Sequence, residues 1–499
     1  MRDNDHLDLD IVSVDARGDG IAIIGRRTIA VAFTIPGERV RVAVDDRTGR
    51  ASLVSVLAPS PHRVLPRCPH FGPCGGCAWQ HIAYPEQLRL KTALVERLLR
   101  ETVPRAPAVL PTLAPVPPPD GAAREAPVTD RESGPRLDPD APWEYRQKVH
   151  FVFATTDAAG RPALSTGRTR ARGGGRLVMG HYARGSRRVV AVRECPVHDA
   201  RGNAVAFEVH AALGARHVHA ADPAGAVSPR SPRRAIGSGV LRSVAIRVAL
   251  HTGELMTTIV VTDDGDKGLR TATRTAFARG TMSSSLHLNL HPRQDAFIFG
   301  RETRHISGAA RLRDTVAGTS FLISPTAFFQ TNVRAAELLV SLVRAAIPAG
   351  AAVLDLYAGA GLFALPLAAA GHRVLAVEEN RTAVSDGEAS RGLNRIDAER
   401  CRLTAQPVEV ALRRVHAAGA IVMDPPRDGL SPDVLEELRR LAPAVLVYVS
   451  CNPEALARDL AVLVRDGMQV RSIQPVDMFP HTAHVETVVT LSRGAEPRR

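Results

Sequence analysis

The stretch Ala351-Ala352-Val353-Leu354-Asp355-Leu356-Tyr357-Ala358-Gly359-Ala360-Gly361-Leu362-Phe363-Ala364 decides the fold. Residues 351–356 are apolar enough for a buried strand. Two glycines follow, then a helical run to Ala370 closed by Gly371. Strand, glycine loop and helix in that order let backbone approach a ligand closely. Outward from this unit, His372 to Val377 is the next strand and ends at Glu378-Glu379-Asn380. Ala420 to Met423 and Ala444 to Val449 are further apolar strands. From about Phe321 onward strands and helices alternate, which predicts a doubly wound, parallel-type sheet of Rossmann-like character.

A glycine loop alone fits a nicotinamide-dependent oxidoreductase as well as a methyltransferase. Three details favour S-adenosylmethionine. Asp355 precedes the loop, Glu378 ends the second strand where an acid can accept from ribose hydroxyls, and Asp424-Pro425-Pro426-Arg427 ends a later one. This series resembles a class I methyltransferase. Gly359 and Gly361 are the expected close-approach positions. Arg427 stands where base amino-methyltransferases carry a stacking aromatic residue, which argues against an exocyclic amine as target.

Tyr448-Val449-Ser450-Cys451-Asn452-Pro453 places a thiol at the lip of a buried strand, where open α/β sheets bind ligands. C5 of uracil is too weak a nucleophile to accept a methyl group directly. A thiolate adding at C6 makes it an enolate carbon, and a base must later remove the C5 proton so that the thiolate can leave. Cys451 suits the nucleophile. Glu486, ahead of the apolar run Val488 to Leu491, suits the base.

Together with Phe328-Phe329-Gln330-Thr331-Asn332 and Phe479-Pro480-His481-Thr482…His484-Val485-Glu486, these motifs resemble the RNA 5-methyluridine methyltransferase family. The resemblance implies Cys451 as nucleophile and Glu486 as general base. It also implies Gln330, Tyr357, Glu378 and Asp424 as S-adenosylmethionine contacts. Leu362 falls where some members have asparagine.

Residues 7–57 read as about five short strands separated by turns such as Gly18-Asp19-Gly20 and Pro36-Gly37-Glu38. That pattern suggests an oligonucleotide-binding-type β-barrel, and it resembles a TRAM domain. Cys68, Cys74 and Cys77 follow with C-x5-C and C-x2-C spacing, and Cys195 is the best remaining fourth ligand. By spacing, an iron–sulfur cluster and a zinc site completed by His70 or His81 both remain open. The family resemblance implies a [4Fe-4S] cluster on Cys68, Cys74, Cys77 and Cys195, with zinc as runner-up.

These readings divide the chain into a TRAM-like barrel (1–58), a Cys-rich segment with a helix over 86–102 (59–102), and a Pro/Ala-rich poorly packed insertion (103–142). A central mixed α+β RNA-binding domain (143–315) and the methyltransferase domain (316–499) follow. Two arginine-rich stretches, 167–176 and 228–234, suggest phosphate-contacting loops.

The 499 residues carry a formal net charge of +13, which favours a polyanionic partner such as RNA. Only three residues are lysine, so the charge is nearly all arginine, and a GC-rich coding bias accounts for part of it. No apolar run approaches the roughly 20 residues of a spanning helix, so a cytoplasmic monomer without membrane contact is expected. The expected activity is transfer of methyl to C5 of a uridine in structured RNA through a Cys–C6 adduct, with 23S rRNA favoured over tRNA. The alternatives are an inert iron–sulfur RNA-binding protein and a nicotinamide-dependent oxidoreductase.

Overall fold

The computed structural model describes residues 6–45, 50–115, 138, 141–156, 176–221, 239–278, 283–293 and 297–493. The stretch 228–234, most of 167–176 and the middle of the 103–142 insertion lie outside the described residues.

The C-terminal sheet has seven strands. In spatial order they are Cys401–Ala405, Arg373–Glu378, Ala352–Leu356, Ala420–Met423, Val445–Ser450, Glu486–Arg493 and Met468–Val476. The first five run parallel. Their apolar residues are covered on both faces by helices, as a parallel sheet requires. One strand, Glu486–Arg493, runs against the expected parallel pattern. Glu486–Arg493 runs antiparallel to both Val445–Ser450 and Met468–Val476. The reason is the short link between Met468–Val476 and Glu486–Arg493, which permits only an antiparallel return.

Several helices of this unit start on side chains the motifs supply. Asn332 accepts from Ala335 N to cap Val333–Ala346, Asn380 caps Arg381–Leu393, and Asn452 accepts from Glu454 N to cap Pro453–Arg465. Each cap satisfies an orphan helix N–H and is worth about 1 kcal/mol. The hairpin of Leu312–Val316 and Thr319–Ile323 also packs here: Leu312, Val316 and Phe321 share a core with Leu339 and Phe363. The C-terminal unit therefore begins near Leu312, ahead of the expected boundary at 316.

The central sheet has the order Glu302–Gly308, Ser285–Leu290, Leu255–Val261, Leu241–Val248, Lys148–Thr155, Leu177–Tyr182, Val189–Ala191. Only the Leu255–Val261 and Ser285–Leu290 pair is parallel, with helix Lys267–Ala278 as its crossover. That helix and Ala200–Ala215 bury Val149, Phe151, Ile246 and Ile259.

The N-terminal sheet has six strands, in the order His6–Asp10, Arg39–Asp45, Arg50–Ala58, Arg27–Val31, Gly20–Ile24, Ser13–Val14. Val12 N donates to Ile21 O at 2.8 Å, so the chain after the first strand curls back onto a strand near the far edge. Leu9, Ala22, Val31, Val40 and Val42 fill the core this creates.

Helix Tyr84–Thr102 packs against helix Pro453–Arg465 and ties the N-terminal part to the C-terminal sheet. Lys91 of this helix and Asp477, directly after strand Met468–Val476, form an ion pair with both side chains fully buried and Nζ–Oδ1 2.5 Å. The expected loose insertion is wrong for its first part. Leu110 N donates to Ile473 O and Leu113 N to Pro475 O, both at 3.0 Å, so residues 110–113 run along the exposed edge of Met468–Val476. An edge strand offers unpaired backbone groups, and this segment takes them up.

Candidate active site

The parallel strands Ala352–Leu356, Arg373–Glu378, Ala420–Met423 and Val445–Ser450 end side by side, and their next residues form one lip. Tyr357 follows the first strand with φ +59°, a left-handed conformation that costs a non-glycine residue free energy. Gly359 (φ +56°) and Gly361 (φ +86°) continue the turn. A Cβ on Gly359 would meet nothing within 4 Å, so the loop presents bare backbone to open space. Glu378 braces it from the second strand, accepting from Gly359 N at 2.9 Å and from Asn380 N at 2.7 Å. Each carboxylate oxygen keeps a second lone pair for a further donor. Bare backbone, an acid beside it and Asp424 at the next strand end suit an adenosine-bearing ligand. Gln330 is buried on the segment leading into helix Val333–Ala346. That segment is anchored by Thr331 O, which accepts from Gln147 N at 2.7 Å, and by Asn332 Nδ2, which donates to Met478 O at 3.2 Å.

Cys451 and Glu486 come together through strand register. The antiparallel ladder between Val445–Ser450 and Glu486–Arg493 ends with Ser450 facing Thr487. The next residues on the two strands are Cys451 and Glu486. Cys451 is half-buried and Glu486 is buried, with Oε2 lacking a hydrogen-bond partner. Burial, then the nearby Glu486 and Asp424 carboxylates, push the Cys451 thiol up to about 11, while Arg427 pulls it down. Burial and Asp424 raise the Glu486 carboxyl far above the usual range, again opposed by Arg427. Asp424 is raised by burial. The Cys451 thiol and the buried Glu486 carboxyl thus share Arg427 as a positively charged neighbour, and both are raised by Asp424. Strongly shifted titratable groups gathered at a strand-end cleft are a common signature of acid–base machinery.

Sequence reasoning treated Arg427 only as a missing aromatic platform. Its charge balance was invisible because the register that brings Glu486 to it spans distant residues. Asn452 Nδ2 donates to Arg427 O at 2.8 Å, fixing the turn after the two prolines to the turn after Cys451.

The four cysteines of the N-terminal and central parts converge. Cys68 feels Cys74, Cys77 feels Cys74 and Cys68, and Cys195 feels Cys77 and Cys68, and in each of these three the neighbouring thiols add to the rise that burial causes. N–H donors reach every sulfur: backbone of His70 and Phe71 at Cys68, Gly76 N at Cys74, the Gln80 side chain at Cys77, and backbone of Val197 and His198 at Cys195. Donors of this kind favour thiolate over thiol and suit a ligated sulfur. Gly75 is held by Tyr182 O at 2.9 Å, where a Cβ would collide with that same carbonyl. The four thiols thus lie within electrostatic reach of one another, each with an N–H donor.

The runner-up zinc ligands fit less well. His70 Nε2 already accepts from Arg193 N, and His81, although its ring nitrogens are buried without hydrogen-bond partners, belongs to no three-ligand group among the described residues. Among the described residues, the one three-ligand group at single-ion spacing is instead His181, Cys195 and His198, with ligand atoms within 4.8 Å of one another. The Cys195-Pro196-Val197-His198 spacing was the readable signal for part of it.

A family model described as tRNA (Uracil-5-)-methyltransferase matches residues 311–494. The chain is 33% identical over 490 residues to an uncharacterized RNA methyltransferase of Gloeobacter violaceus, covering 97% of this chain and 96% of that one. It is 32% identical to a similarly named protein of Thermosynechococcus vestitus, over 97% and 98% of the two chains. Among solved structures, Pyrococcus abyssi tRNA (uracil-54, C5)-methyltransferase in complex with S-adenosyl-L-homocysteine has the same fold. The TM-score is 0.69 at 23% identity, over 97% of this chain and 100% of that one.

Proposed function

The chain belongs to the RNA uracil-5-methyltransferase family of S-adenosylmethionine-dependent enzymes, and from that premise we propose that it methylates C5 of a uridine in structured RNA through a covalent bond between Cys451 and C6. The observation that carries this reading is the facing of Cys451 and Glu486 one step past the end of their ladder.

The Cys451 thiolate adds to C6, and the electron pair moves through C5 to the C4 carbonyl as an enolate. C5 then takes the methyl group. Glu486 removes the C5 proton, the C5–C6 double bond reforms and the thiolate departs. Burial raises the Glu486 pKa, which makes its ionised form a stronger base for this step. Arg427 steadies the thiolate before attack and after release. S-adenosylmethionine supplies the methyl group when bound, and Gln330, Tyr357, Gly359, Gly361, Glu378 and Asp424 hold it.

Cys68, Cys74, Cys77 and Cys195 hold a [4Fe-4S] cluster that joins the Cys-rich loop to the central sheet. The N-terminal TRAM-like sheet and the central sheet grip the RNA. Ribosomal RNA, 23S in particular, is favoured, because such an N-terminal module resembles that of the ribosomal branch. Transfer RNA is the second reading, since a transfer-RNA enzyme shares this fold along its whole length. Mapping 5-methyluridine in both RNAs from cells with and without the gene separates them. Loss from neither would overturn the function.

A further inference from the structure

His481 lies on the segment that delivers Glu486, and it is clamped from every side. Its own φ is +65°, left-handed for a non-glycine residue. It is almost fully buried, so this strained backbone is enforced by its neighbours. Its carbonyl accepts from Ala78 N at 3.0 Å and Trp79 N at 2.9 Å, the two N–H groups directly after Cys77. Its own N–H donates to Gln87 Oε1 at 2.8 Å. Its ring lies face to face with Trp143, centroids 4.1 Å apart. Ring Nε2 is 2.9 Å from Pro142 O, and a carbonyl only accepts, so Nε2 carries the hydrogen. Nδ1 is then left facing Gln87 Nε2 at 3.4 Å.

The neighbours of His481 are pinned too. Tyr145 Oη donates to Pro480 O at 2.9 Å, and Lys91 Nζ donates to Phe479 O at 3.1 Å. The chain between Met468–Val476 and Glu486–Arg493 is thus fastened to the Cys-rich loop, to helix Tyr84–Thr102 and to the entry of the central sheet. Only Thr482 to Val485 separate this anchorage from Glu486.

We infer that His481 is a positioning residue for proton removal: through it the loop following Cys77 and the Trp143 ring fix where Glu486 stands relative to Cys451. This rests on the covalent reading above. Loosening the clamp displaces Glu486, while the opposite strand still ends at Cys451. Attack at C6 and methyl transfer then proceed, but the C5 proton stays, the C6–S bond cannot break, and the RNA remains attached.

The test follows one turnover of the full-length protein with labelled S-adenosylmethionine and unmodified bulk RNA, resolving free labelled RNA from a denaturation-resistant protein–RNA adduct. The variants are His481→Asn, which tolerates a positive φ, Trp143→Ala and Trp143→Phe, with Glu486→Gln as reference. A base contributes on the order of a hundredfold or more to its step, so His481→Asn and Trp143→Ala are expected to raise the adduct at least about tenfold over wild type. Label should enter adduct as fast as it enters wild-type RNA, and Trp143→Phe should restore release. Parallel loss of labelling and adduct in His481→Asn and Trp143→Ala, or wild-type release in both, overturns the inference. Should His481→Asn not fold, the Trp143 pair carries the same comparison. Adduct in Glu486→Gln but in neither clamp variant sinks this inference alone. Absence of adduct in Glu486→Gln as well removes the base assignment on which it stands.

Discussion

Cys451 and Glu486 occupy facing positions immediately beyond Ser450 and Thr487, the last pair of an antiparallel ladder. Directly opposite residues on neighbouring strands present side chains to the same face. A thiol and a carboxyl far apart in sequence therefore stand on one side of the sheet, at the end where the parallel strands open.

Arg427 sets the reactivity of this thiol. Burial, then Glu486 and Asp424, raise the Cys451 pKa to about 11, and Arg427 is the charged side chain that opposes the rise. Below the pKa, thiolate fraction and alkylation rate climb roughly tenfold per pH unit. Ligand-free protein should thus be alkylated at Cys451 ever faster up to the alkaline limit of stability. Arg427→Gln removes the opposing charge, raises the pKa further and should slow iodoacetamide labelling several-fold at pH 8. Peptide mass mapping of Cys451 reads the rate, and an equal or faster rate would refute the electrostatic role.

The buried pair of Lys91 and Asp477 holds helix Tyr84–Thr102 to the C-terminal sheet. Breaking a buried pair from one side leaves an uncompensated charge, at a cost of about 3–5 kcal/mol. Lys91→Met should therefore lower stability by that order in denaturant unfolding. The double variant Lys91→Met, Asp477→Leu should recover much of it. A loss below about 1 kcal/mol in the single variant would place the pair among surface-type ion pairs.

Removing one cysteine of the converging set separates a cluster from a single ion. Cys68→Ser should abolish the iron and the visible absorbance of protein prepared without oxygen. A His181–Cys195–His198 ion would survive that change and would be lost in His198→Ala instead. Metal analysis of the two variants decides between them.

The glycine loop and the strands around it were legible because each is a local pattern of a few residues, whereas nothing in the sequence reading marked Asn332, Asn380 and Asn452 as helix caps. The direction of Glu486–Arg493 was not legible either, since an apolar run does not state which neighbour it pairs with or which way it runs. Arg427 stayed hidden for the same reason: its effect depends on Glu486 arriving by that strand. Residues 110–113 were misread because the Pro and Ala content of the stretch they sit in resembles a linker, while their order comes from backbone bonds to Met468–Val476, which composition does not record. Cys195 and His198 carried a readable spacing, but His181 reaches them only through the central sheet.

In the proposed mechanism Cys451 bonds to the uridine and Glu486 releases it. Incubating Glu486→Gln with S-adenosylmethionine and RNA, followed by nuclease digestion and mass analysis, measures this most directly. A nucleotide carrying the new methyl group should be found attached to the peptide containing Cys451, and Cys451→Ala should yield neither adduct nor methylated RNA. Methylated RNA made by Cys451→Ala, or a Glu486→Gln enzyme that turns over without trapped nucleotide, would contradict the account.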